Sequence, residues 1–210
     1  MTSTPAKKRR TRLSPAAREA MILEAAIEFF AERGFAAQTR DLATSLDISE
    51  SLIYRYFSTK DELVRSVFRE VIDSRWDPAW IDLLRDRHLP LRERLLRFYD
   101  AYLDAIDDRV WIRIVMYASL DGLDLTRHYI ATHVDDVLGT IATEAAASSR
   151  RRRPIDAEVV WHLHSTLIYF LVRKHIHAVE VADDRSSVVA MAVDSLLDGL
   201  QVRSRSSRGG

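Results

Sequence analysis

Apolar residues recur at three- and four-residue spacing along most of this chain, and strict alternation of apolar with polar positions is hard to find. That period is the helical one, so the pattern predicts an all-α protein. Ser14 precedes Pro15, a helix-start pair. Ile22, Ala25, Ala26, Phe29 and Phe30 carry the stripe on to Gly34, where a left-handed C-cap needs no Cβ. Two short helices follow, over about 40–45 and 50–57. "STKDEL" then offers Ser58 or Thr59 as an N-cap, with Asp61 and Glu62 in the first turn. Leu63, Val64, Val67, Phe68, Val71 and Ile72 extend a longer helix to about Trp76, and Pro78 marks a break. Further helices are predicted over about 91–106, 110–120, 125–147, 156–181 and 186–202. There is no internal repeat.

The two short helices carry the most specific pattern. Leu42, Ala43 and Leu46 are apolar at helical spacing, Ile48 plugs the turn, and Ile53 and Phe57 face back from the second helix. Ala43 is small where the helices cross, and Ser49 caps the second one. A helix-turn-helix needs this: two short helices locked at a steep angle by a few apolar contacts. Tyr54 and Tyr56, two apart, lie about 200° around a helix and cannot both be buried on one side. With the inner face buried, Glu50, Ser51, Leu52, Tyr54, Arg55 and Tyr56 occupy the outer face and edges of the second helix. A helix of this width fits the DNA major groove. Ser51 and Arg55 are placed for base edges, and the tyrosine hydroxyls and Lys60 for phosphates. Thr39 and Arg40 open the first short helix, where side chain and free backbone N–H groups suit a phosphate. Short helix pairs of this kind also occur in helical proteins that bind no nucleic acid.

Taken in order and spacing, "AAIEFFAERGF", "TRDLATSLDIS", "LIYRYF" and "STKDEL" make residues 14–75 resemble the DNA-binding domain of the tetracycline-repressor (TetR) family of transcriptional regulators. The resemblance implies a homodimer with one helix-turn-helix per subunit, a pseudo-palindromic operator, and a small molecule bound in the C-terminal domain that changes DNA affinity. By motif position it implies DNA contacts for Thr39, Arg40, Glu50, Ser51, Leu52, Tyr54, Arg55, Tyr56 and Lys60, with Tyr54 and Lys60 on phosphates. Three departures stand out. Asp47 occupies the turn position usually held by glycine, and aspartate tolerates a left-handed backbone better than most residues. The loop from Gly34 to Thr39 is one residue shorter than is common. Glu50-Ser51 replaces the small residue frequent after the second helix's cap. Near a groove Glu50 repels phosphates unless it accepts from a cytosine amine.

Composition narrows the function classes. The chain has 210 residues and no cysteine, which excludes disulfides and thiolate metal sites. No apolar run is long enough for a membrane span, and the polar, basic N-terminus lacks the apolar core of a secretory signal, so a cytoplasmic protein is expected. The 31 basic and 31 acidic residues cancel. The basic ones are clustered, however, at Lys7, Lys8, Arg9, Arg10 and Arg12 and again at Arg150 to Arg153. Local basic runs in a neutral chain suit a protein of which only part meets a polyanion. The first run reads either as an arm reaching a groove or as a solvated terminus, and the second as a solvated loop.

In the C-terminal half, Trp111, Tyr117, His133 and His164 are candidates for an effector pocket, against ordinary core or interface packing. His162 and His164, like His175 and His177, diverge around a helix and cannot share an ion, so no metal site is expected. The absence of a nucleophile elbow, P-loop or GxGxxG argues against an enzyme and against a bound cofactor. The last two helices carry apolar stripes (Val159, Val160, Leu163, Leu167, Phe170, Leu171; Val188, Val189, Ala192, Leu196, Leu200) suited to a four-helix dimer interface. The expected organisation is a disordered basic arm (1–12), a helix-turn-helix domain (13–60), a helical effector-binding and dimerisation domain (61–203) and a disordered tail (204–210). The expected function is a homodimeric repressor released from its operator by a small molecule. The rivals are a regulator without such an effector, and a helical carrier or enzyme with an incidental helix-turn-helix.

Overall fold

The computed structural model describes residues 13–149 and 155–206, without the side chains of 201–206. The basic run at Lys7 to Arg12, the arginine run at Arg150 to Arg153 and residues 207–210 lie outside the described residues. Eleven α-helices and no strand are found among those described. They are α1 (Pro15–Arg33), α2 (Thr39–Ser45), α3 (Glu50–Tyr56), α4 (Lys60–Val71), α5 (Ala79–Arg85), α6 (Leu91–Ile106), α7 (Arg109–Leu120), α8 (Asp124–Tyr129), α9 (Asp135–Ser148), α10 (Ala157–His175) and α11 (Arg185–Ser206).

Local chemistry sets most of the boundaries. Ser14 accepts from the Ala17 N–H at 3.2 Å, with Pro15 as the first helical residue of α1. Gly34 ends that helix with φ +77°. A Cβ there would also stand 3.1 Å from the ring of Tyr117, so the position requires glycine twice over. Thr59 caps α4 by accepting from the Glu62 N–H, and the Glu62 carboxylate accepts from the Ser58 N–H, a reciprocal pair that fixes the helix start.

The structure departs from the periodicity in five places. The helix expected to reach about Trp76 ends at Val71, and a 3-10 turn, Asp73–Arg75, follows it. A short helix, α5, follows Pro78 where only a break was expected. It buries Trp80 and Leu84, and Asp77 accepts from the Ala79 N–H at its start. The helix expected over 125–147 is α8 and α9 joined by a π turn, Ile130–Val134. A π turn widens the spacing at which residues share a face, so Tyr129 and Val134, five apart, are both buried. Helix α10 ends at His175 rather than near Val181, before Ala178 takes a left-handed backbone at φ +50°. Helix α11 runs to Ser206, three residues into the expected tail.

Helix α1 packs on α4 and α7, and α4 also touches α7, so α7 is the seat of the N-terminal helices. Around it, α6 packs on α11, α10 on α11 and α9, and α5 on α9 and α6. Much of the two C-terminal stripes is spent within the chain: Val160, Leu163, Leu167 and Leu171 of α10, and Val189, Leu196 and Leu200 of α11, are buried. One charge pair lies in this core. Arg94 of α6 is 3% exposed and donates to Glu144 of α9 at 2.9 Å and to the Leu84 carbonyl of α5. Arg87 completes a bidentate pair on the same carboxylate, at 3.0 and 2.8 Å. The hydrogen bonds from Arg87, together with Arg94, pull the Glu144 carboxyl down to about 2. Three segments are thereby tied by one carboxylate.

Removing only one partner of that pair leaves a buried charge uncompensated. Glu144→Leu is expected to cost about 3–5 kcal/mol of unfolding free energy, measured by urea denaturation. The double change Arg94→Met with Glu144→Leu is expected to recover most of it.

Candidate nucleic-acid interface and interior cavity

Helices α2 and α3 meet through Leu42, Ala43, Ile53 and Phe57, all buried. Asp47 makes the turn with φ +52°, the left-handed conformation expected of it, and the Ile48 N–H returns to the Ala43 carbonyl at 3.1 Å. Ser49 caps α3, accepting from the Leu52 N–H at 3.3 Å and bonding the Ser51 hydroxyl at 2.9 Å.

The outer surface of α3 presents Ser51, Tyr54 and Arg55, with Arg40 of α2 also exposed. Glu50, Leu52, Tyr56 and Lys60 are half-buried, and Tyr56 packs against the core. Thr39, by contrast, is buried at 4% exposure. Its hydroxyl donates to the Glu50 carboxylate at 2.6 Å and bonds the Tyr54 hydroxyl at 2.8 Å. A carboxylate only accepts and threonine has one proton, so Tyr54 must be the donor to Thr39. Glu50 thus sets the direction of the whole chain of bonds. Its charge is already engaged within the domain, which the sequence pattern did not reveal.

In the C-terminal helices a cavity of about 340 Å³ lies among α6, α7, α8, the π turn and α10. Of the four expected pocket residues, Trp111 and His164 line it. Tyr117 does not: it packs on Gly34, and its hydroxyl accepts from Arg113 at 2.8 Å. His133 is absent from the lining as well, its ring stacked on Trp76 at 4.4 Å between centroids. The wall also takes in Tyr102, Met116, Tyr129, Ile130, Trp161 and Ile168. Such residues at helical spacing are the common material of any helical core, and nothing in the sequence marks Tyr102 or Ile168 as facing a void. Desolvation pushes His164 down to about 4, so its ring is neutral at ordinary pH. Among the described residues no cluster of His, Asp or Glu could hold a metal ion, and no helix is long and apolar enough to cross a membrane.

The cavity and the N-terminal helices share α7. Ile112 and Met116 line the cavity. On the adjacent face Arg113 donates through Nε to the Ala31 carbonyl and through Nη2 to the Glu32 carbonyl at 3.0 Å. Arg109 pairs with Glu32 at 2.6 Å. At the start of α7, Asp108 accepts from Val110 and Trp111 N–H groups and from Arg75, which follows α4, at 2.8 Å.

The family model for bacterial regulatory proteins of the tetR family matches residues 22–67, from within α1 to within α4. Over 111 residues the chain is 30% identical to the HTH-type transcriptional regulator LuxR of Vibrio harveyi, covering 52% of this chain and 53% of that one. Over 71 residues it is 46% identical to the HTH-type transcriptional repressor Rv3405c of Mycobacterium tuberculosis, covering 32% and 37% respectively. The chain therefore spans about half the length or less of these relatives. A TetR-like transcriptional regulator from Rhodococcus sp. RHA1 superposes with TM-score 0.68 over 90% of this chain and 100% of its own, at 21% identity, which shows a common fold.

Thr39→Val leaves the half-buried Glu50 carboxylate and the Tyr54 hydroxyl without their shared partner. A loss of about 1–3 kcal/mol of unfolding free energy is expected, with Thr39→Ser near wild type, by thermal or urea denaturation. His164 gives a pH signature. The unfolded imidazole takes a proton near 6.5 and the folded one near 4, so the neutral form's advantage is whole above 6.5 and is lost as pH falls between the two values. That window is worth about 3 kcal/mol. In urea titrations across it, His164→Phe is expected to flatten the stability–pH slope by about one proton.

Proposed function

We propose that this chain, a member of the tetR family of bacterial regulatory proteins, is a homodimeric cytoplasmic repressor. It occupies a two-fold-symmetric DNA site and leaves it when a small molecule enters the cavity beside α7. On this reading it is a regulator and not an enzyme.

The observation that carries the reading is the outer surface of α3. A short helix, rigidly seated on α2, projects Ser51 and Arg55 outward, which suits base edges in a major groove. Tyr54, Lys60 and Arg40 flank them in positions suited to phosphates, with Thr39 supporting Tyr54 from behind. Leu52 and Tyr56, half-buried, supply the groove-side edge, and Glu50 acts within the domain or through a cytosine amine. Residues 13–60 form the reading domain and 61–203 the effector-binding and dimerisation domain.

A single α3 reads only a half-site, and the second copy is assigned to α10 and α11. Between these helices runs a groove edged by Val159, Val188, Ala192 and Met191, the last 68% exposed. Val159, Val188 and Ala192 are members of the two stripes that the chain's own core buries only in part, and Met191 lies beside them. Two reading helices must sit about 34 Å apart to enter successive major grooves. Helix α7 supplies a route from cavity to reading head, because it lines one and holds α1 and α4 with the same rigid segment.

Selection of bound duplexes from random DNA tests the proposal. Enrichment of a two-fold-symmetric site is expected, with affinity falling steeply as salt rises. Arg55→Ala is expected to weaken the selected site by about 10- to 100-fold and to relax its sequence at one position per half-site. Lys60→Ala should weaken all sequences alike. An enriched site without symmetry, or none at moderate salt, would overturn the reading.

A further inference from the structure

We propose that the cavity takes an uncharged, mainly apolar ligand that presents a hydrogen-bond acceptor, such as a carbonyl oxygen, to the indole N–H of Trp111. This rests on the cavity being the effector site.

The wall supplies the argument. No Asp, Glu, Lys or Arg lines it. A charged ligand would be desolvated with no counter-charge, which disfavours it or forces it to neutralise. The titratable imidazole on the wall, His164, is held neutral by its burial and provides no cation for a carboxylate. The aromatic side chains of Trp111, Tyr129 and Trp161 line the space, a setting for a flat or alicyclic ring. At about 340 Å³ the volume suits a small compound of one or two rings.

Two wall residues carry buried nitrogens with no hydrogen-bond partner, Trp111 Nε1 and His164 Nδ1. Their side chains belong to residues only 3% and 5% exposed. An indole N–H is a donor only, so it asks for an acceptor. The His164 nitrogen serves as donor or acceptor according to tautomer and fits a second polar atom. Of the other polar groups on the wall, the Tyr102 and Tyr129 hydroxyls bond each other, Thr126 donates to the Val115 carbonyl at 3.3 Å, and the indole of Trp161 belongs to a residue that is only half-buried. Ser165 and Tyr169 are exposed and stand at the rim. A pure hydrocarbon would fill the space and leave the indole N–H unmatched, which is a penalty and not a neutral outcome. Trp111 also lies in the first turn of α7, and its own backbone N–H bonds the Asp108 cap at 3.3 Å. An acceptor at the indole therefore acts on the end of α7 that Asp108 joins to Arg75.

Two matched probe sets test this by isothermal titration on the full chain. One is 1-tetralone, tetralin, tetralin-1-carboxylate and 1-aminotetralin. The other is acetophenone, ethylbenzene, phenylacetate and 1-phenylethylamine. At least one ketone is expected to bind about tenfold tighter than its hydrocarbon, with the ions weaker still. Trp111→Phe is expected to bring that ketone down to its hydrocarbon while leaving the hydrocarbon unchanged. Should that variant not fold, Ile168→Arg, at a half-buried wall position, is expected to shift preference to the carboxylates. Ions binding as tightly as ketones, an unchanged ketone preference in Trp111→Phe, or no ketone binding at millimolar concentration would each overturn the proposal. Failure here and failure of the regulatory reading are separable. Selection of a symmetric DNA site without ketone binding sinks only the ligand class. Ketone binding that leaves DNA affinity unchanged supports the ligand class and sinks effector release.

Discussion

The last carbonyls of a helix have no partner inside it, and at the end of α1 that deficit is met from elsewhere in the chain. Arg113 of α7 places its guanidinium on the Ala31 and Glu32 carbonyls, stacks 5.4 Å over the Tyr117 ring and bonds the Tyr117 hydroxyl. A cation at the negative end of a helix is favourable in itself, and five donors in a fixed fork make its direction specific. The Tyr117 ring lies where a side chain on Gly34 would be, so the left-handed turn that frees α1's end also admits the residue that orients Arg113. Together with the Arg109–Glu32 pair, Arg113 thus ties α1 to α7. Because α1 packs on α4 and α2, the same tie bears on where the helix-turn-helix sits.

Within that unit the governing constraint is a count of protons. Thr39 has one to give, Glu50 can only accept, and Tyr54 is left to donate inward. A glutamate at the mouth of a nucleic-acid groove is unfavourable as a free charge, but here it has a structural occupation. In exchange the network holds the Tyr54 ring against α2. Tyr54 can then meet a phosphate only by turning its proton outward, at the expense of the Thr39 bond.

The parts of the molecule most legible in sequence are those fixed by local chemistry. Ser14-Pro15, Ser49, Thr59 and Gly34 set helix ends where their side chains or their missing Cβ require it. Asp47 kept the turn despite replacing the usual glycine. What escaped was decided by tertiary contact. The π turn at Ile130–Val134 leaves no mark in apolar spacing, since α8 and α9 continue one stripe through it. The end of α10 is set by the backbone at Ala178, a residue with no terminator signature. His133 and Tyr117 are aromatic groups on helices that pass near the cavity, but Trp76 and Gly34 claim them instead. Periodicity says which face of a helix is buried. It does not say whether that face meets another side chain or a space.

Helix α7 has both. Twelve residues, Arg109–Leu120, present Ile112 and Met116 to the cavity and Arg113 and Tyr117 to α1. A hydrogen-bonded helix of three turns moves as a unit, so a ligand that displaces one face displaces the other by a similar amount. Its grip on the N-terminal helices includes three points near its start, Asp108 with Arg75, Arg109 with Glu32, and Arg113 on the α1 carbonyls. The cap's bonds to Val110 and Trp111 belong to the helix itself, so Asp108 travels with α7, and a shift or a rotation of the helix loads the bond to Arg75 as well as those of Arg113. On the proposed reading, a ligand biases the position of α7 only by binding one arrangement better than another, and it does so through the α7 residues on the cavity wall, Trp111, Ile112, Val115 and Met116.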